Sequence, residues 1–372
     1  MMEIYKKLAR HLDNLPGGFP STDSGVELRI LRRLFQPDEA EMALHLNLIP
    51  EKSSVIARRA GIGTDKAAKR LRDMSRKGLI FSIEIGDRPP LYTASQYVVG
   101  IWEYHVNRLD PELIRDMNEY IPAFSRIMND APQLRTIPVG RSISAQMEVL
   151  PYEEAEKLAR GRKRYLVAPC ICRREHRIIG NGCDKPEESC LVFGFAADYY
   201  ERAGIGRVID LDETLDILQK ADAAGLVLQP SNAQKIVNIC CCCGCCCQIL
   251  KNLKRYPKPA HLAVAPFIAS AAPDTCKGCG VCVERCQMDA LRLENERVLL
   301  DSDRCIGCGL CVSTCPTHSL TLVRKPEPEQ IELPRNMSEA MLTRSRIRGK
   351  PSGFSLAMMR LRSKLDRFLA LR

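Results

Sequence analysis

Apolar residues recur at helical spacing along the first eighty residues of the chain. Between Gly25 and Gln36 they form one broad face, as expected for an amphipathic helix packed on a core. Further along, Thr64 is an expected N-cap and Gly78 an expected stop for another helix. Short apolar runs then flank a turn rich in Gly, Asp and Pro. The pattern predicts helices over 25–36, 37–46, 53–60 and 65–77, and strands over 79–85 and 91–93 around a turn at 86–90.

This order of helices followed by a hairpin resembles the winged-helix domains of bacterial regulators, over about residues 20–95. The resemblance implies that the last helix lies in the DNA major groove or that the domain docks onto another protein. Between Glu51 and Lys77 the chain carries nine basic and three acidic residues, a surface that suits phosphates. Protein docking is the favoured interpretation. Under the DNA-binding alternative the candidate residues are Lys66, Lys69, Arg70 and Arg72.

Beyond residue 95 the pattern alternates between helical and extended spacing. Helices are predicted over 97–104 and 111–128, and another begins at Pro151. A strand over 208–211 precedes a helix that starts at Asp212. This mixture, without a regular alternation of strands and helices along the whole chain, indicates an α+β protein with several domains.

The chain contains nineteen cysteines, a number that points to metal or disulfide chemistry. All of them lie between Cys170 and Cys315, in a chain of 372 residues with no apolar run long enough for a membrane span or a signal peptide. A long chain with closely spaced thiols is poorly suited to disulfides and is typical of metal or cluster ligation in a reducing compartment. We therefore expect a cytoplasmic protein rather than an exported or transmembrane one.

A duplicated cysteine motif lies towards the C-terminus. Three thiols at intervals of three on a glycine-bearing loop can face one cubane, while backbone N–H groups point at the sulfurs. Zinc sites with four cysteines usually use two Cys-x-x-Cys pairs instead. The motif is Cys-x-x-Cys-x-x-Cys-x-x-x-Cys, and its copies are Cys276, Cys279, Cys282 and Cys286, then Cys305, Cys308, Cys311 and Cys315.

This spacing resembles that of bacterial-type ferredoxins with two [4Fe–4S] clusters, over about residues 272–324. One position departs from the family pattern, because Gln287 follows Cys286 where a proline is usual. The resemblance implies that the fourth cysteine of each run ligates the other cluster. It assigns Cys276, Cys279, Cys282 and Cys315 to the first cluster, and Cys305, Cys308, Cys311 and Cys286 to the second.

Eleven more cysteines precede this motif, seven of them between Cys240 and Cys247. Neighbouring residues on a strand or helix point in different directions, so these seven thiols cannot all serve one site. We favour an additional iron–sulfur cluster, with zinc or a redox-active dithiol as alternatives. His176 is expected beside the site rather than as a ligand. The candidate ligands are Cys170, Cys172, Cys183, Cys190, Cys240, Cys242, Cys243, Cys245 and Cys246.

The region 165–325 resembles cysteine-rich ferredoxin-domain proteins of anaerobic bacteria and archaea. That resemblance implies electron transfer as a component of an oxidoreductase and names no substrate. The expected domains are a winged-helix-like domain at 1–110, a cysteine-rich α/β middle region at 111–260, a dicluster ferredoxin domain at 261–326, and a basic tail with an amphipathic helix at 327–372.

The tail carries most of the excess charge of the chain. Residues 335–372 contain ten basic and two acidic residues, whereas the net charge of the whole chain is +10. A helix is predicted over 354–371, with apolar residues at spacings of three and four. Docking to a partner or to its own domain is favoured, and peripheral contact with an anionic membrane is the alternative.

Single-electron relay is the function that these patterns favour, with donor and acceptor oxidoreductases as partners. The cofactors expected are two [4Fe–4S] clusters and a third cysteine-ligated cluster. No dinucleotide-binding fingerprint, P-loop or catalytic triad is present, so catalytic residues remain unassigned. The alternatives are a redox-sensing winged-helix regulator that binds DNA and a reductase that uses the middle cysteines on a small substrate.

Overall fold

The computed structural model describes residues 2–350, 361–368 and 370. Within these, the chain forms two compact units, each assembled from separate stretches of sequence. The first unit contains the residues up to Ile127, Asp198–Ile205, and the described residues from Met341 onward. The second contains Met128–Ala197 and Gly206–Ala340, and therefore all nineteen cysteines.

The first unit is built from helices and one small antiparallel sheet of order β1-β3-β2. Amphipathic segments supply the helices, and their apolar faces are buried. The elements are α1 (Met2–Asp13), α2 (Val26–Leu34), α3 (Pro37–Ala43), β1 (Glu51–Lys52), α4 (Ser53–Ala60), α5 (Thr64–Lys77), β2 (Ile80–Ile83), β3 (Leu91–Ala94), α6 (Trp102–Tyr104) and α7 (Pro111–Asp130).

The helices and strands predicted for residues 25–93 are confirmed, with small shifts at their ends. Gly63, not Thr64, is the N-cap of α5, and Gly78 ends that helix in the left-handed conformation at φ 82°. The helix predicted over 97–104 is wrong in its first half. Val98 and Gly100 have non-helical backbone angles there, and only α6 is a regular helix.

The second unit has a five-stranded sheet of order β6-β4-β5-β8-β7 in which all neighbours are antiparallel. The α/β class expected for the middle region is therefore wrong in strand direction, because α/β folds have parallel strands. The elements are α8 (Ala155–Arg160), β4 (Tyr165–Pro169), α9 (Ile171–Ile178), β5 (Glu188–Phe193), α10 (Phe195–Arg202, ending in the first unit), β6 (Arg207–Ile209), α11 (Leu211–Ala223), β7 (Val227–Pro230), β8 (Asn238–Cys242) and α12 (Gln248–Lys254).

The remainder of the second unit holds the duplicated motif. Strand β9 pairs with β12. The sequence predicts a hairpin between the two cysteine runs, because residues 290–293 and 297–300 flank a polar turn at 294–296, and β10 and β11 form this hairpin. Asn295 and Glu296 have positive φ at its tip, as a tight hairpin turn requires. The elements are β9 (Phe267–Ala271), α13 (Val281–Arg285), β10 (Leu291–Glu294), β11 (Arg297–Leu300) and β12 (Leu320–Arg324), followed by α14 (Met337–Ile347), which belongs to the first unit from Met341 onward.

The tail helix predicted over 354–371 lies partly outside the described residues, which here include only 361–368 and 370. Residues 361–368 are helical. Leu361, Leu365 and Phe368, which belong to the apolar stripe of the predicted helix, are each more than half exposed. Asp366 on the same helix pairs with Arg59 at 2.8 Å. Among the described helices, none has both the length and the apolar character that crossing a lipid bilayer demands.

Candidate metal centres

The first ferredoxin group lines a cavity that opens to solvent. Three of its thiols come from the first cysteine run, on the loop before α13 and on the helix itself. The fourth comes from the end of the second run. Apolar side chains also line the cavity, Leu293 and Val298 from the hairpin and Leu320 from β12. The four thiols that the structure brings together here are those of Cys276, Cys279, Cys282 and Cys315.

The second group lines a separate cavity with the reciprocal arrangement. Here one thiol comes from the end of the first run and three come from the second. Ile306 and Leu310 are buried beside the thiols, and Cys305 and Cys311 are themselves buried, whereas Cys279 of the first group is exposed. The thiols that meet here are those of Cys286, Cys305, Cys308 and Cys311.

Two glycines allow the cysteine loops to fold this tightly. Gly278 and Gly307 both have positive φ, at 66° and 65°. A Cβ on Gly278 would lie 2.7 Å from the carbonyl oxygen of Glu296, and one on Gly307 would lie 2.0 Å from that of Phe267. Neither position therefore has room for a side chain.

Backbone amides point at the sulfurs in both groups. The N–H of Gly278 donates to Cys276 Sγ at 3.4 Å, and the N–H of Ala290 donates to Cys286 Sγ at 3.2 Å. Ala269 donates to Cys305 Sγ in the same way, at 3.4 Å. Such donors stabilise thiolate charge. Four convergent thiols with oriented amides are the donor set that a [4Fe–4S] cluster requires, so the residues fit the cluster at both cavities.

Burial disfavours ionisation of these thiols when no metal is bound. It raises the pKa of Cys308 to about 12 and that of Cys311 well above the ordinary thiol value. Neighbouring sulfurs act in the same direction, since a second negative charge would lie close by. Ligation would therefore release protons, because the metal binds the thiolate.

The middle cysteines form two neighbouring groups. The first, here called the inner thiols, lies on the face of the sheet at β5 and β8. Cys190 is directly opposite Cys240 in the antiparallel register. Thiol-to-thiol contacts continue from Cys240 to Cys242, and through Cys247 to Cys172. The inner thiols are Cys170, Cys172, Cys190, Cys240, Cys242 and Cys247.

Hydrogen bonds within the inner thiols favour thiolate at alternate members. Donation from Cys190 and Cys242 lowers the pKa of Cys240 well below its ordinary value, although burial opposes the shift. Cys172 and Cys242 lower the pKa of Cys247 similarly, helped by the backbone N–H groups of Leu250 and Ile249. Thiolates are the metal-binding form, so this arrangement is suited to ligation.

The second group, here called the turn thiols, consists of Cys183, Cys243, Cys245 and Cys246, whose sulfurs all lie within 4.8 Å of one another. Cys246 Sγ is 3.7 Å from Cys183 Sγ and 3.8 Å from Cys245 Sγ. The three cysteines of the run follow β8 in a turn around Gly244, and Cys183 comes from the loop after α9. The sequence leaves open two sites or one site with spare thiols, and the structure places the middle thiols in two groups.

Neither Cys241 nor Cys247 is among the candidate ligands, and the structure places only Cys247 in a thiol group. Cys247 is the N-cap of α12, and this position sends its thiol to the inner group rather than to the adjacent turn. Cys241 belongs to neither group. It is buried among apolar residues of the sheet, and burial raises its pKa to about 12. Alternation along β8 could have indicated that Cys240 and Cys242 share a face that Cys241 does not.

A buried arginine lies between the two groups. Arg173 is 1% exposed, and its Nη1 lies 3.6 Å from Cys243 Sγ. Its Nη2 donates to the carbonyl oxygen of Cys241 at 3.1 Å and to Ser189 Oγ. Burial disfavours its charge, yet the sulfurs of Cys170 and Cys243 raise the pKa of Arg173 above its usual value. It therefore offsets negative charge on the thiols.

His176 is engaged through both ring nitrogens. Its Nδ1 lies 2.8 Å from the carbonyl oxygen of Cys172, and its Nε2 lies 3.0 Å from Nζ of Lys251. Neither nitrogen is free to bind a metal in this arrangement, as expected for a residue beside the site. The ring instead fixes the backbone next to Cys172.

Gln287 links the middle cysteines to the second ferredoxin group. Its side-chain oxygen accepts a hydrogen bond from the N–H of Gly244 at 2.7 Å. A Cβ on Gly244 would lie 2.4 Å from the carbonyl oxygen of Gln287, so the two backbones are in direct contact. The residue that stands where a proline is usual therefore joins the turn thiols to the loop that carries Cys286.

The candidate nucleic-acid residues lie on α5. Lys66, Lys69 and Arg72 are exposed, whereas Arg70 is partly buried and pairs with Asp38 at 2.7 Å. The structure therefore leaves three of the four cations on the solvent side of the helix.

Comparison with known protein families matches residues 275–329 to the 4Fe-4S dicluster domain. No curated protein and no solved structure matches the chain. The matched range contains all eight cysteines of the two cavities. Residues 275–329 are thus a ferredoxin-type iron–sulfur domain that binds [4Fe–4S] cofactor.

Proposed function

We propose that the chain is an electron-transfer protein, or an oxidoreductase subunit, that relays single electrons between a donor and an acceptor protein. The observation that carries the proposal is the reciprocal sorting of eight cysteines into two adjoining cavities, with backbone amides directed at the sulfurs. When bound, [4Fe–4S] clusters supply one-electron redox chemistry. Cys276, Cys279, Cys282 and Cys315 would hold one, and Cys286, Cys305, Cys308 and Cys311 the other.

The inner thiols are the candidate third iron–sulfur site. Six linked thiols exceed the four ligands that one tetrahedral ion takes, which favours a polynuclear cluster. They share a continuous apolar core with the second ferredoxin group, including Met288, Ile306 and Leu310. This shared apolar core, together with the Gln287–Gly244 hydrogen bond, supports electron exchange between the inner thiols and the second ferredoxin group.

Anaerobic purification with iron and sulfide quantification, and EPR of the reduced protein, tests the proposal. About eight irons per chain would support two ferredoxin clusters only, and about twelve would support the third. We expect Cys170→Ala and Cys172→Ala each to change a signal distinct from those of the ferredoxin pair. Unchanged metal content and spectra in both variants would reduce the inner thiols to structural residues.

The alternative is a winged-helix regulator whose DNA binding responds to cluster state. It draws support from the three exposed cations of α5. Electron transfer is favoured because a sensor requires one labile cluster, whereas this chain devotes many more cysteines to thiol groups. Partner oxidoreductases are accordingly the expected binding partners.

A further inference from the structure

The turn thiols are spaced for a single metal ion. Around one tetrahedral Zn²⁺ with Zn–S bonds of about 2.3 Å, neighbouring sulfurs lie about 3.8 Å apart. The distances from Cys246 Sγ to the sulfurs of Cys183 and Cys245 are 3.7 and 3.8 Å. All four sulfurs fall within 4.8 Å of one another, a spacing compatible with four thiolates around one tetrahedral ion.

The ferredoxin thiols of the same unit provide an internal comparison. In a cubane each thiolate binds a different iron, so the sulfurs must stand farther apart than around one ion. Among the described residues, the turn thiols are the one set of three or more potential ligands this close together. The eight ferredoxin thiols are thus more widely spread. The difference in spacing distinguishes the turn thiols from the two ferredoxin sites.

The local chain explains how one short run supplies three ligands. Strand β8 ends at Cys242, and Gly244 is buried against the backbone of Gln287, which leaves no room for a side chain. The chain turns there, and the N–H of Cys247 donates to the carbonyl oxygen of Cys243 at 3.1 Å. This turn places Cys243, Cys245 and Cys246 on one side, facing Cys183.

The surroundings suit an anionic site of four thiolates with one side open to solvent. The buried guanidinium of Arg173, 3.6 Å from Cys243 Sγ, offsets part of the net negative charge. Cys243 and Cys246 are buried, whereas Cys245 is exposed and gives an ion access. An exposed free thiol beside three others would be prone to oxidation, and ligation protects it.

We propose that Cys183, Cys243, Cys245 and Cys246 bind one Zn²⁺ in a structural tetrathiolate site separate from the iron–sulfur centres. A closed site with four cysteines is typical of structural zinc, which has no redox chemistry. The ion would fix the turn that contacts Gln287, and so hold the middle sheet against the second ferredoxin loop. This role lies outside the electron relay itself.

The full chain, purified anaerobically from medium supplied with both zinc and iron, tests the site. We expect one zinc per chain by elemental analysis, in addition to the cluster iron. Cys245→Ala should lose most of this zinc and keep the iron and sulfide of the parent. Cys241→Ala removes a thiol that belongs to neither group and should keep all three.

Cobalt provides a second measurement that does not depend on any variant folding. Titration of zinc-depleted protein with Co²⁺ should give the intense visible bands of a tetrahedral tetrathiolate, which added Zn²⁺ should abolish. Absence of zinc with loss of both iron and sulfide in Cys245→Ala would overturn the proposal in favour of a cluster. One iron without sulfide at the site would overturn the identity of the ion. Zinc and iron are measured separately. Neither overturning result therefore decides the proposed electron relay, which is tested by the iron, sulfide and EPR measurements on the ferredoxin clusters.

Discussion

Gly307→Ala is the sharpest test of how the second cluster loop folds. The new Cβ would lie 2.0 Å from the carbonyl oxygen and 2.6 Å from the carbonyl carbon of Phe267. Those atoms belong to β9, which is paired with β12, so relief requires a shift of a hydrogen-bonded strand. Such overpacking costs about 1–3 kcal/mol. The left-handed backbone at φ 65° adds about 1–2 kcal/mol for a residue with a side chain.

Gly280→Ala is the matched control for this variant. Gly280 also has positive φ, at 76°, but the nearest atom to its new Cβ is Leu293 Cδ1 at 3.7 Å, an ordinary contact. Gly280→Ala should therefore lose about 1–2 kcal/mol in the free energy of unfolding from its backbone conformation, with no steric contribution. The difference between the two variants is then the steric part, about 1–3 kcal/mol.

Anaerobic denaturant unfolding, followed by cluster absorption, measures that difference directly. Gly307→Ala should unfold at lower denaturant than Gly280→Ala and retain less iron and sulfide, with the loss confined to one of the two ferredoxin signals. Equal midpoints and equal iron in the two variants would refute the close packing of this loop on β9.

Three further outcomes are expected. Cys308→Ala should remove one ferredoxin cluster and destabilise the segment 272–324, since ligation substitutes for a large apolar core; full iron with an unchanged EPR spectrum would contradict the ligand assignment. Gln287→Leu leaves the buried N–H of Gly244 without its acceptor and should cost about 1–3 kcal/mol in the free energy of unfolding, against little change for an exposed control such as Lys277→Leu. Duplex DNA should bind weakly, without sequence preference and equally in both redox states, and Lys66→Ala with Lys69→Ala should lower the salt-dependence slope by about 1.8. Tight, redox-dependent binding in a gel-shift assay would instead favour the regulator.

Local patterns predicted the parts of the site that depend on local geometry. The spacing of the two cysteine runs and the hairpin between them follow from loop chemistry within a few residues, and the dicluster family match covers the same segment. The helices α2, α4 and α5 were predicted equally well, because apolar periodicity and terminal glycines specify them. The ligand assignment itself stays a prediction that iron analysis must test.

Contacts between distant segments could not be predicted in this way. The division of the middle cysteines into two groups depends on the pairing of Cys190 with Cys240, a register set by the whole sheet. Cys247 is next to Cys246 in sequence, yet the turn and the start of α12 send the two thiols to different groups. Similarly, the helix expected over 97–104 fails because Gly100 adopts backbone angles that no helix contains.

The replacement of the usual proline by Gln287 is best understood from both of its neighbours. A proline at this position has no side-chain acceptor, and the N–H of Gly244 would then lie buried against it without a hydrogen bond. A ferredoxin domain that functions alone has no such N–H to satisfy. This chain packs a cysteine-bearing turn directly on the loop after Cys286, so an amide side chain there is stabilising. The substitution that departs from the ferredoxin pattern is thus the one that couples the dicluster domain to the middle thiol groups.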